Sequence, residues 1–294
     1  MAIFKGAAVA IVTPMHEDGK VNYEKLEELL EYQIANSTDA IVICGTTGES
    51  STLTHGEHLQ TIKFAIDKVA GRVPVIAGTG SNSTACAIEI SQEACKNGAD
   101  ALLLVTPYYN KTSQRGLIAH YTAIHDATNL PIILYNVPSR TGVNIKPETA
   151  AELAKLPRVN GIKEASGDLD QVAKIHELCG DELNIWSGND DQIFDILERG
   201  GKGVISVLSN IAPKETHEIV ASYLNGDRKT SKELMDKYVK LAKAMFVDVN
   251  PIPVKEAVSL IGFNAGPLRL PLIEMDESNK KYVKETMEEY GLVK

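Results

Sequence analysis

Lys163 lies within a short apolar run, residues 159–168, whose pattern predicts a buried strand. An unpaired ammonium group is rarely buried in such a strand, because removing it from water costs several kcal/mol. The amine can avoid this cost by losing its proton, and a neutral amine is a nucleophile. Tyr135 belongs to a second apolar run, residues 131–138, about one strand and one helix upstream. A lysine and a tyrosine at the ends of neighbouring strands predict Schiff-base chemistry on a carbonyl substrate.

A structural ion pair is the alternative explanation for Lys163. Glu164 is the nearest acid in the sequence, but adjacent residues of a strand point to opposite faces. At an ordinary lysine pKa near 10.4, well under about 1% of the amine is neutral at pH 7. Catalysis therefore requires that burial lower this pKa, or that a proton relay do equivalent work.

Polar residues also follow other predicted strands. A tight loop at residues 45–49 has the sequence Gly-Thr-Thr-Gly-Glu, with two hydroxyls and free backbone N–H groups. Such a loop can bind a carboxylate or a phosphate, although a simple turn with a helix cap fits the same residues. Arg140 follows a Pro-Ser turn, where it could clamp a carboxylate with two bonds or simply lie on the surface. Asp190 and Asp191 have the pattern of acids in a first helical turn, which we favour over a metal site.

The elements that must position these residues alternate along the chain between β-rich runs and helical stretches. Most of the β-rich runs are continuously apolar, which is typical of strands covered on both faces, and they recur at the spacing of βα units. Eight such units predict a (β/α)8 barrel of the α/β class, in which active groups gather at the carboxyl ends of the strands. A doubly wound sheet is the alternative, but no G-x-G-x-x-G motif follows the first strand. The predicted strands are Ala7–Thr13, Ala40–Thr46, Val73–Thr79, Ala101–Thr106, Pro131–Val137, Val159–Ala165, Leu183–Ser187 and Gly203–Ser209.

Helix signals divide the chain into two predicted domains. Asn22 can cap a helix over residues 23–34, and residues 54–57 have the spacing of a capping box. After residue 224 the β signal ends, so we predict a barrel over residues 1–224 and a small helical domain, residues 225–294, packed on it. The helices predicted in the second domain are Thr230–Phe246, Pro253–Phe263 and Ser278–Tyr290.

Composition excludes several classes of function. The net charge of −9 argues against binding to nucleic acid or to an acidic membrane. The first residues lack the features of a signal peptide, and no apolar run approaches the roughly 20 residues of a membrane span, so we expect a cytoplasmic protein. His55 and His58 are more typical of a helix surface than of a metal site. Four scattered cysteines are expected to be reduced thiols rather than disulfides or zinc ligands: Cys44, Cys86, Cys95 and Cys179.

Three motifs together resemble the dihydrodipicolinate synthase family of pyruvate-dependent class I aldolases. They are the Gly-Thr-Thr-Gly-Glu loop, Tyr-Asn-Val-Pro-Ser-Arg-Thr-Gly at residues 135–142, and Gly-Ile-Lys-Glu at residues 161–164. The resemblance extends over essentially the whole chain, including the helical tail. It implies an enzyme that condenses pyruvate with L-aspartate 4-semialdehyde to give 4-hydroxy-tetrahydrodipicolinate, the first committed step of diaminopimelate and lysine synthesis.

The resemblance also implies how the catalytic residues act. Lys163 would form an imine with pyruvate, and the enamine derived from it would add to the aldehyde. Tyr135 would be the general acid and base, linked through Thr46 to Tyr109 in a proton relay. In the family this second tyrosine reaches in from a neighbouring subunit, so a tight homodimer, usually paired into a tetramer, is implied. No metal, flavin, nicotinamide or pyridoxal cofactor is required, because the lysine supplies the electron sink.

Four further positions would bind the substrates. By the resemblance, Thr47 would hold the pyruvate carboxylate and Arg140 the semialdehyde carboxylate, while Gly188 and the Ile205 carbonyl would shape the pocket. The alternative function is that of another pyruvate-dependent aldolase, such as N-acetylneuraminate lyase or a 2-keto-3-deoxy sugar acid aldolase. Arg140 argues against N-acetylneuraminate lyase, because the acceptor of that enzyme is a neutral sugar and sialic-acid lyases generally lack this arginine.

Regulation by lysine is expected to be weak or absent. Members of the family inhibited by lysine carry a glutamate where this chain has Cys86, and that carboxylate meets the ammonium group of the ligand. A non-catalytic amino-acid sensor using this cleft is a second alternative, but a sensor has no need of the catalytic residues. The positions that match the effector site are Ser50, Ser51, His55, His58, Asn82, Cys86 and Tyr108.

Overall fold

The computed structural model describes residues 1–293 and contains a closed barrel of eight parallel strands that pair in chain order. The strands are β1 (Gly6–Ala10), β2 (Ala40–Ile43), β3 (Val75–Gly78), β4 (Ala101–Val105), β5 (Ile132–Asn136), β6 (Val159–Glu164), β7 (Asn184–Ser187) and β8 (Gly203–Ser206). β1 pairs with β2 on one side and with β8 on the other, which closes the barrel. The predicted (β/α)8 barrel is confirmed, and the doubly wound sheet is wrong.

Helices follow each strand and surround the barrel. They are α1 (Tyr23–Ala35), α2 (His55–Val69), α3 (Thr84–Asn97), α4 (Gln114–Ala127), α5 (Pro138–Thr141), α6 (Pro147–Ala154), α7 (Leu169–Cys179), α8 (Ile193–Leu197) and α9 (Pro213–Leu224). Short 3-10 helices lie at Ser50–Thr52, Gly180–Glu182, Asp190–Gln192 and Leu208–Asn210. The predicted caps are confirmed: Asn22 accepts from the Lys25 N–H, and Thr54 and Glu57 form a capping box.

Several strands end earlier than the sequence predicts. The run Ala40–Thr46 leaves the sheet after Ile43, because Cys44 adopts a left-handed conformation with φ of 55°. A left-handed residue turns the chain out of the extended path that a strand requires. Thr46 therefore lies in the loop after β2, and not at the end of a strand as predicted. This displacement matters for the site, because it leaves the hydroxyl on a turn whose shape other contacts must hold.

Apolar side chains form two layers because successive residues of each strand point to opposite faces. One set packs outward against the helices, as Ile41 and Ile43 do. The other set fills the barrel interior, where the rings of Phe4 and Trp186 stack with their centres 4.9 Å apart. Tyr135 belongs to the inward set. The alternation thus decides which side chains can reach a site inside the barrel mouth.

In the part of the chain that the structure describes, three α-helices follow the barrel: α10 (Arg228–Ala244), α11 (Ile252–Val258) and α12 (Glu277–Glu289). The three helices predicted here are confirmed to within a few residues, except that the middle one changes to a π-helical turn at Ser259–Phe263. α10 packs against α9 of the barrel, and α12 packs against α10 and α11. The division into domains at residue 224 stays a prediction. Within residues 1–293, no helix is long and apolar enough to cross a membrane.

A buried ion pair joins this helical tail to the loop after β2. Lys255 in α11 donates to Oε1 of Glu49 at 2.6 Å, and both side chains are at most 2% exposed. Lys255 also donates to the Pro267 carbonyl, and Oε2 of Glu49 accepts from the Arg269 N–H. These added bonds offset the cost of removing both charges from water; breaking such a pair typically costs about 3–5 kcal/mol. The tail is therefore fastened to the loop that carries Thr46 and Thr47.

Candidate active site

Lys163 and Tyr135 occupy paired positions on β6 and β5 near the carboxyl end of the barrel. The Nζ atom of Lys163 lies 4.4 Å from the centre of the Tyr135 ring, and both side chains are buried. Together with Thr46, Thr47 and Arg140 they line a cavity of about 190 Å³. The amine and the phenol thus lie close together, as predicted. The cavity that they line has the size of a small metabolite rather than of a polymer.

Burial lowers the pKa of Lys163 from 10.5 to about 8. Desolvation is the largest cause, the Asp190 carboxylate raises the pKa, and the Arg140 guanidinium lowers it. A pKa near 8 leaves roughly a tenth of the amine neutral at pH 7, whereas an ordinary lysine has under about 0.1% in that form. Burial in the barrel therefore lowers the pKa of Lys163 enough to supply a neutral amine as the nucleophile, as the sequence analysis required.

Gly188 follows β7 and leaves room for the lysine chain. A Cβ atom at this position would lie 3.1 Å from Cε of Lys163 and 2.7 Å from Cβ of Ala165. The Gly188 N–H donates to the Glu164 carbonyl at 2.8 Å, which holds the backbone close to β6. Ile205, the other residue expected to shape the pocket, lies in β8 with its side chain fully buried in the barrel interior.

Asp190 lies near the site and acts on Lys163, a role that the sequence analysis did not assign to it. It begins the 3-10 helix Asp190–Gln192, as expected of an acid in a first turn, but it is only 2% exposed. Its Oδ2 accepts from the N–H groups of Val207 and Leu208 at 3.0 and 2.9 Å. The carboxylate thus braces the loop after β8, and its charge favours the ammonium form of Lys163. Nothing in the Asp-Asp pair indicates which of the two acids points inward.

Glu164 is not the partner of Lys163, as the alternation of strand residues predicts. Its carboxylate accepts bonds from the side-chain amides of Asn136 and Gln171, and from the Ser166 N–H at 2.6 Å. Desolvation raises the pKa of this carboxyl group, while these donors lower it. Asn136 and Glu164 are paired in register directly after Tyr135 and Lys163. The network therefore fixes β5 against β6 beside the reacting pair, on the opposite face.

Tyr135 is a proton donor over the neutral pH range. Burial raises the pKa of its phenol, while the Arg140 charge and a hydrogen bond with Thr46 act in the opposite direction. Thr46 lines the same cavity, so its hydroxyl is placed to pass a proton to or from the phenol. These two of the three relay residues are brought together within one chain.

The loop at residues 45–49 is a closed turn. The N–H groups of Gly48 and Ser50 donate to the Gly45 carbonyl, and that of Glu49 donates to the Thr46 carbonyl. The expectation of free N–H groups in the loop is therefore wrong for Gly48 and Glu49, whose N–H groups bond within the turn itself. Within residues 1–293, the internal bonds of the loop leave out the N–H groups of Gly45, Thr46 and Thr47. These remain the donors available to an anion.

Asn250 connects the two residues predicted to bind carboxylates, and the sequence analysis missed it. Its Nδ2 donates to Oγ1 of Thr47 at 3.0 Å, and its carbonyl accepts from Nη2 of Arg140 at 3.2 Å. Arg140 lies in α5, and its side chain lines the cavity. Asn250 is more than 200 residues from Thr47 in the chain, so no local pattern could have related them. The two carboxylate-binding candidates thus share one support.

Tyr109 is not brought to the site within one chain. It is 91% exposed, and its φ of 70° is unusual for a residue with a side chain. A large aromatic side chain held in the open by a left-handed backbone makes few contacts of its own. Its predicted place in the relay stays a prediction that requires a second copy of the chain.

Residues 3–290 match the model of the dihydrodipicolinate synthetase family. The chain belongs to this family. A relative from Clostridium perfringens (strain SM101 / Type A), named 4-hydroxy-tetrahydrodipicolinate synthase, is 58% identical over 99% of this chain and 100% of its own length.

Solved structures of the family have the same fold as this chain. The dihydrodipicolinate synthase of Thermotoga maritima superposes with a TM-score of 0.97 at 44% identity, over 99% of this chain and 100% of that one. The enzyme from Cyanidioschyzon merolae, solved with lysine bound, gives 0.97 at 39% identity over the full length of both chains. The chain is therefore a Schiff-base-forming lyase of the dihydrodipicolinate synthetase family.

The effector positions that the family suggests lie around a second cavity, of about 390 Å³. Six of the seven line it: Ser50, Ser51, His55, His58, Cys86 and Tyr108. Asn82 instead donates to the Tyr108 carbonyl at 3.1 Å. The expectation that His58 lies on a helix surface is wrong, because it is buried and its Nε2 lies 2.8 Å from the Gly78 carbonyl. Thr46 and Arg140 line both cavities, so the two spaces are adjacent.

Proposed function

We propose that this enzyme condenses pyruvate with L-aspartate 4-semialdehyde to give 4-hydroxy-tetrahydrodipicolinate, the first committed step of diaminopimelate and lysine synthesis. The observation that carries the proposal is the amine of Lys163, with its pKa lowered to about 8 in a small cavity beside a phenol and an arginine. A neutral amine forms imines with ketones, and the imine then serves as an electron sink. Names of close relatives support the same reaction.

The first half of the reaction uses pyruvate. The neutral amine of Lys163 attacks the ketone carbon, and the carbinolamine loses water to form an imine. The phenol of Tyr135, with Thr46, donates and removes the protons that these steps require. The Thr47 hydroxyl and the nearby N–H groups hold the carboxylate. Loss of a proton from the methyl group then gives an enamine, whose terminal carbon is the nucleophile.

The second half uses the semialdehyde. The enamine carbon attacks the aldehyde carbon, and the new alkoxide takes a proton from the relay. Arg140 holds the carboxylate of the semialdehyde through charge-assisted bonds. The amino group of the same substrate then attacks the imine carbon, which closes the ring and releases the amine of Lys163. No metal or organic cofactor takes part in this proposed sequence.

A second copy of the chain completes the proposed relay. Tyr109 is the third member of the relay and lies exposed at 91%, away from the cavity of its own chain. We place it in the active site of a partner subunit, where it would contact Thr46 and exchange protons with solvent. The exposed side chains of Leu270 and Ile273 support the presence of an interface. The resemblance alone supports the further pairing of dimers into a tetramer.

The direct test measures pyruvate consumption with aspartate semialdehyde and, separately, with N-acetylmannosamine. The expected result is fast turnover with the semialdehyde, none with the sugar, and loss of the semialdehyde activity in Lys163→Ala. Turnover with the sugar would favour N-acetylneuraminate lyase. Turnover with neither, while borohydride still traps pyruvate on the enzyme, would indicate an aldolase with another acceptor.

Arg140→Ala is expected to raise the KM for the semialdehyde by about 10- to 100-fold, because it removes a charge-assisted bond to the carboxylate. The KM for pyruvate should change by less than about threefold, since the contacts of Thr47 remain. Initial rates at varied concentrations of each substrate separate the two constants. Arg115→Ala, on the exposed side of α4, provides a matched control. An equal rise in both constants would show that Arg140 supports the site without selecting the acceptor.

We also propose weak or absent inhibition by lysine. Cys86 lines the effector cavity where inhibited enzymes carry a glutamate, so the ammonium of a bound lysine lacks that carboxylate. Loss of a charge-assisted bond weakens binding by roughly 10- to 100-fold. Binding weakened to this extent should leave the effector cavity mostly empty at roughly 1 mM lysine. The initial rate at that concentration is therefore expected to stay above half of its uninhibited value.

Cys86→Glu is expected to introduce or strengthen inhibition by lysine in the same assay. Gln92→Glu adds the same charge to an exposed position of the same helix, α3, and should leave the response unchanged. If the wild-type enzyme is halved by millimolar lysine, or if both variants respond alike, the proposed role of Cys86 is wrong.

A further inference from the structure

Asn250 lies between α10 and α11, and its side chain reaches back to the loop after β2. Its Nδ2 donates a 3.0 Å bond to Oγ1 of Thr47 across 203 positions of sequence. The residue is 6% exposed and lines the same cavity as Lys163. The helical tail thus touches, inside the cavity, the residue that the proposed function assigns to the carboxylate of pyruvate.

We propose that Asn250 is a positioning residue that fixes the direction in which the Thr47 hydroxyl donates its proton. The inference rests on the proposed function, in which Thr47 holds the pyruvate carboxylate. A hydroxyl carries one proton but can also accept bonds. Because the amide of Asn250 supplies the proton of the bond between them, the proton of Thr47 stays free for the carboxylate. A neutral amide does this without adding charge to the site.

The rest of the amide argues against a role in packing alone. Among residues 1–293, Oδ1 of Asn250 is buried and has no hydrogen-bond partner. A buried acceptor without a partner destabilises a fold, so an apolar side chain would serve packing better. The Nδ2 atom, in contrast, makes one well-formed bond, and its partner is the cavity-lining Thr47. Within residues 1–293, the only hydrogen bond of the Asn250 side-chain amide is therefore the one to Thr47 in the site.

The backbone of Asn250 has a separate contact, which makes the proposal testable. Its carbonyl accepts from Nη2 of Arg140 at 3.2 Å. A substitution of the side chain removes the bond to Thr47 and keeps the carbonyl that Arg140 uses. The substitution should therefore raise the KM for pyruvate and leave the KM for the semialdehyde nearly unchanged, even though Asn250 contacts both Thr47 and Arg140.

The experiment compares Asn250→Ala with Asn250→Asp by steady-state kinetics. Asn250→Ala is expected to raise the KM for pyruvate about 5- to 20-fold and that for the semialdehyde by less than about twofold. Asn250→Asp should raise the KM for pyruvate further, by about 100-fold or more, because a carboxylate captures the Thr47 proton and repels the substrate. A role in packing predicts the opposite order, since aspartate has nearly the shape of asparagine.

A double-mutant cycle with Thr47→Val decides whether the effect passes through the hydroxyl. In the Thr47→Val background, Asn250→Ala should change the KM for pyruvate by less than about twofold, because the group it positions is already gone. Asn225→Ala, at an exposed position after α9, is the control and should behave as wild type. Thermal unfolding of each variant shows that the fold persists.

Two kinds of failure are distinguishable. If the wild-type enzyme forms no borohydride-trapped imine with pyruvate, the proposed function is wrong and this inference falls with it. If the wild type turns over normally while the KM for pyruvate is unchanged in Asn250→Ala, the inference alone is overturned. Independent effects of the two substitutions in the cycle, or an Asn250→Asp variant milder than Asn250→Ala, would also overturn it.

Discussion

Replacement of Lys163 by alanine is expected to reduce turnover by at least about 10⁴-fold, because the nucleophile that forms the imine is gone. Among the residues that the structure describes, Lys163 is the only lysine that lines the cavity, so no neighbouring lysine can take its place. Two measurements check the prediction: pyruvate consumption, and protein mass after borohydride treatment with pyruvate. The wild type should gain one reduced pyruvate adduct and the variant none. A variant that still forms the adduct would place the Schiff base on another residue.

The rate of imine formation should follow the protonation of Lys163. Its pKa of about 8 predicts a rate that rises with pH and levels off above about pH 8, whereas an ordinary lysine would give a rise extending past pH 10. Asp190 and Arg140 are the charged groups acting on this amine, alongside the neutral phenol of Tyr135. Because the Asp190 carboxylate raises the pKa of Lys163, Asp190→Asn should move the midpoint to lower pH. Trapping with borohydride across a pH series measures both profiles.

Loss of activity in variants of Lys163 should not reflect loss of the fold. The pKa of Lys163 is lower in the folded enzyme than in the unfolded chain, so burial of the ammonium destabilises the fold. This penalty is fully present below about pH 8 and disappears as the pH rises to the unfolded value near 10.5. Lys163→Met keeps a long unbranched side chain without the charge. Its free energy of unfolding at pH 7 should exceed that of the wild type by up to about 3 kcal/mol. Denaturant unfolding measures the difference.

The barrel and the central pair were predictable because both follow from local pattern. Continuous apolar runs at regular spacing indicate parallel strands, and parallel pairing brings Tyr135 beside Lys163 once β5 and β6 are neighbours. The alternation of faces also separates Glu164 from the amine. The ends of strands were less predictable. Cys44 turns out of β2 with φ of 55°, a conformation for which its residue type gives no signal.

The supports of the site could not be predicted, since they come from distant parts of the chain. Asn250 and Lys255 reach the loop after β2 from more than 200 residues away, and only the packed tail brings them there. Asp190 illustrates a different limit: its side chain turns inward because the N–H groups after β8 need an acceptor. Tyr109 shows a third limit, because its predicted role depends on a second copy of the chain.

Tyr135→Phe is expected to lower kcat by about 10²- to 10³-fold, the range for loss of a positioned general acid and base. The phenylalanine ring keeps the contact with Lys163, whose Nζ lies 4.4 Å from the ring centre in the wild type. Only the hydroxyl is lost, and with it the bond to Thr46. Because burial raises the pKa of Tyr135 above that of an ordinary tyrosine, the phenol is neutral from pH 6 to 9, and the loss of kcat should be similar over that range. Steady-state rates at saturating substrates measure it.

Tyr121→Phe tests whether removal of any buried phenol oxygen has this effect. Tyr121 is fully buried in α4, and its hydroxyl donates to the Leu104 carbonyl at 3.2 Å, outside the cavity. Its loss should change stability but leave kcat near the wild-type value. Thr46→Val should resemble Tyr135→Phe, and the double variant should be little worse than either, because both interrupt one relay. If Tyr135→Phe retains more than about a tenth of kcat, protons must reach the imine by another route, and Tyr135 would act mainly as the wall that keeps Lys163 dry and neutral.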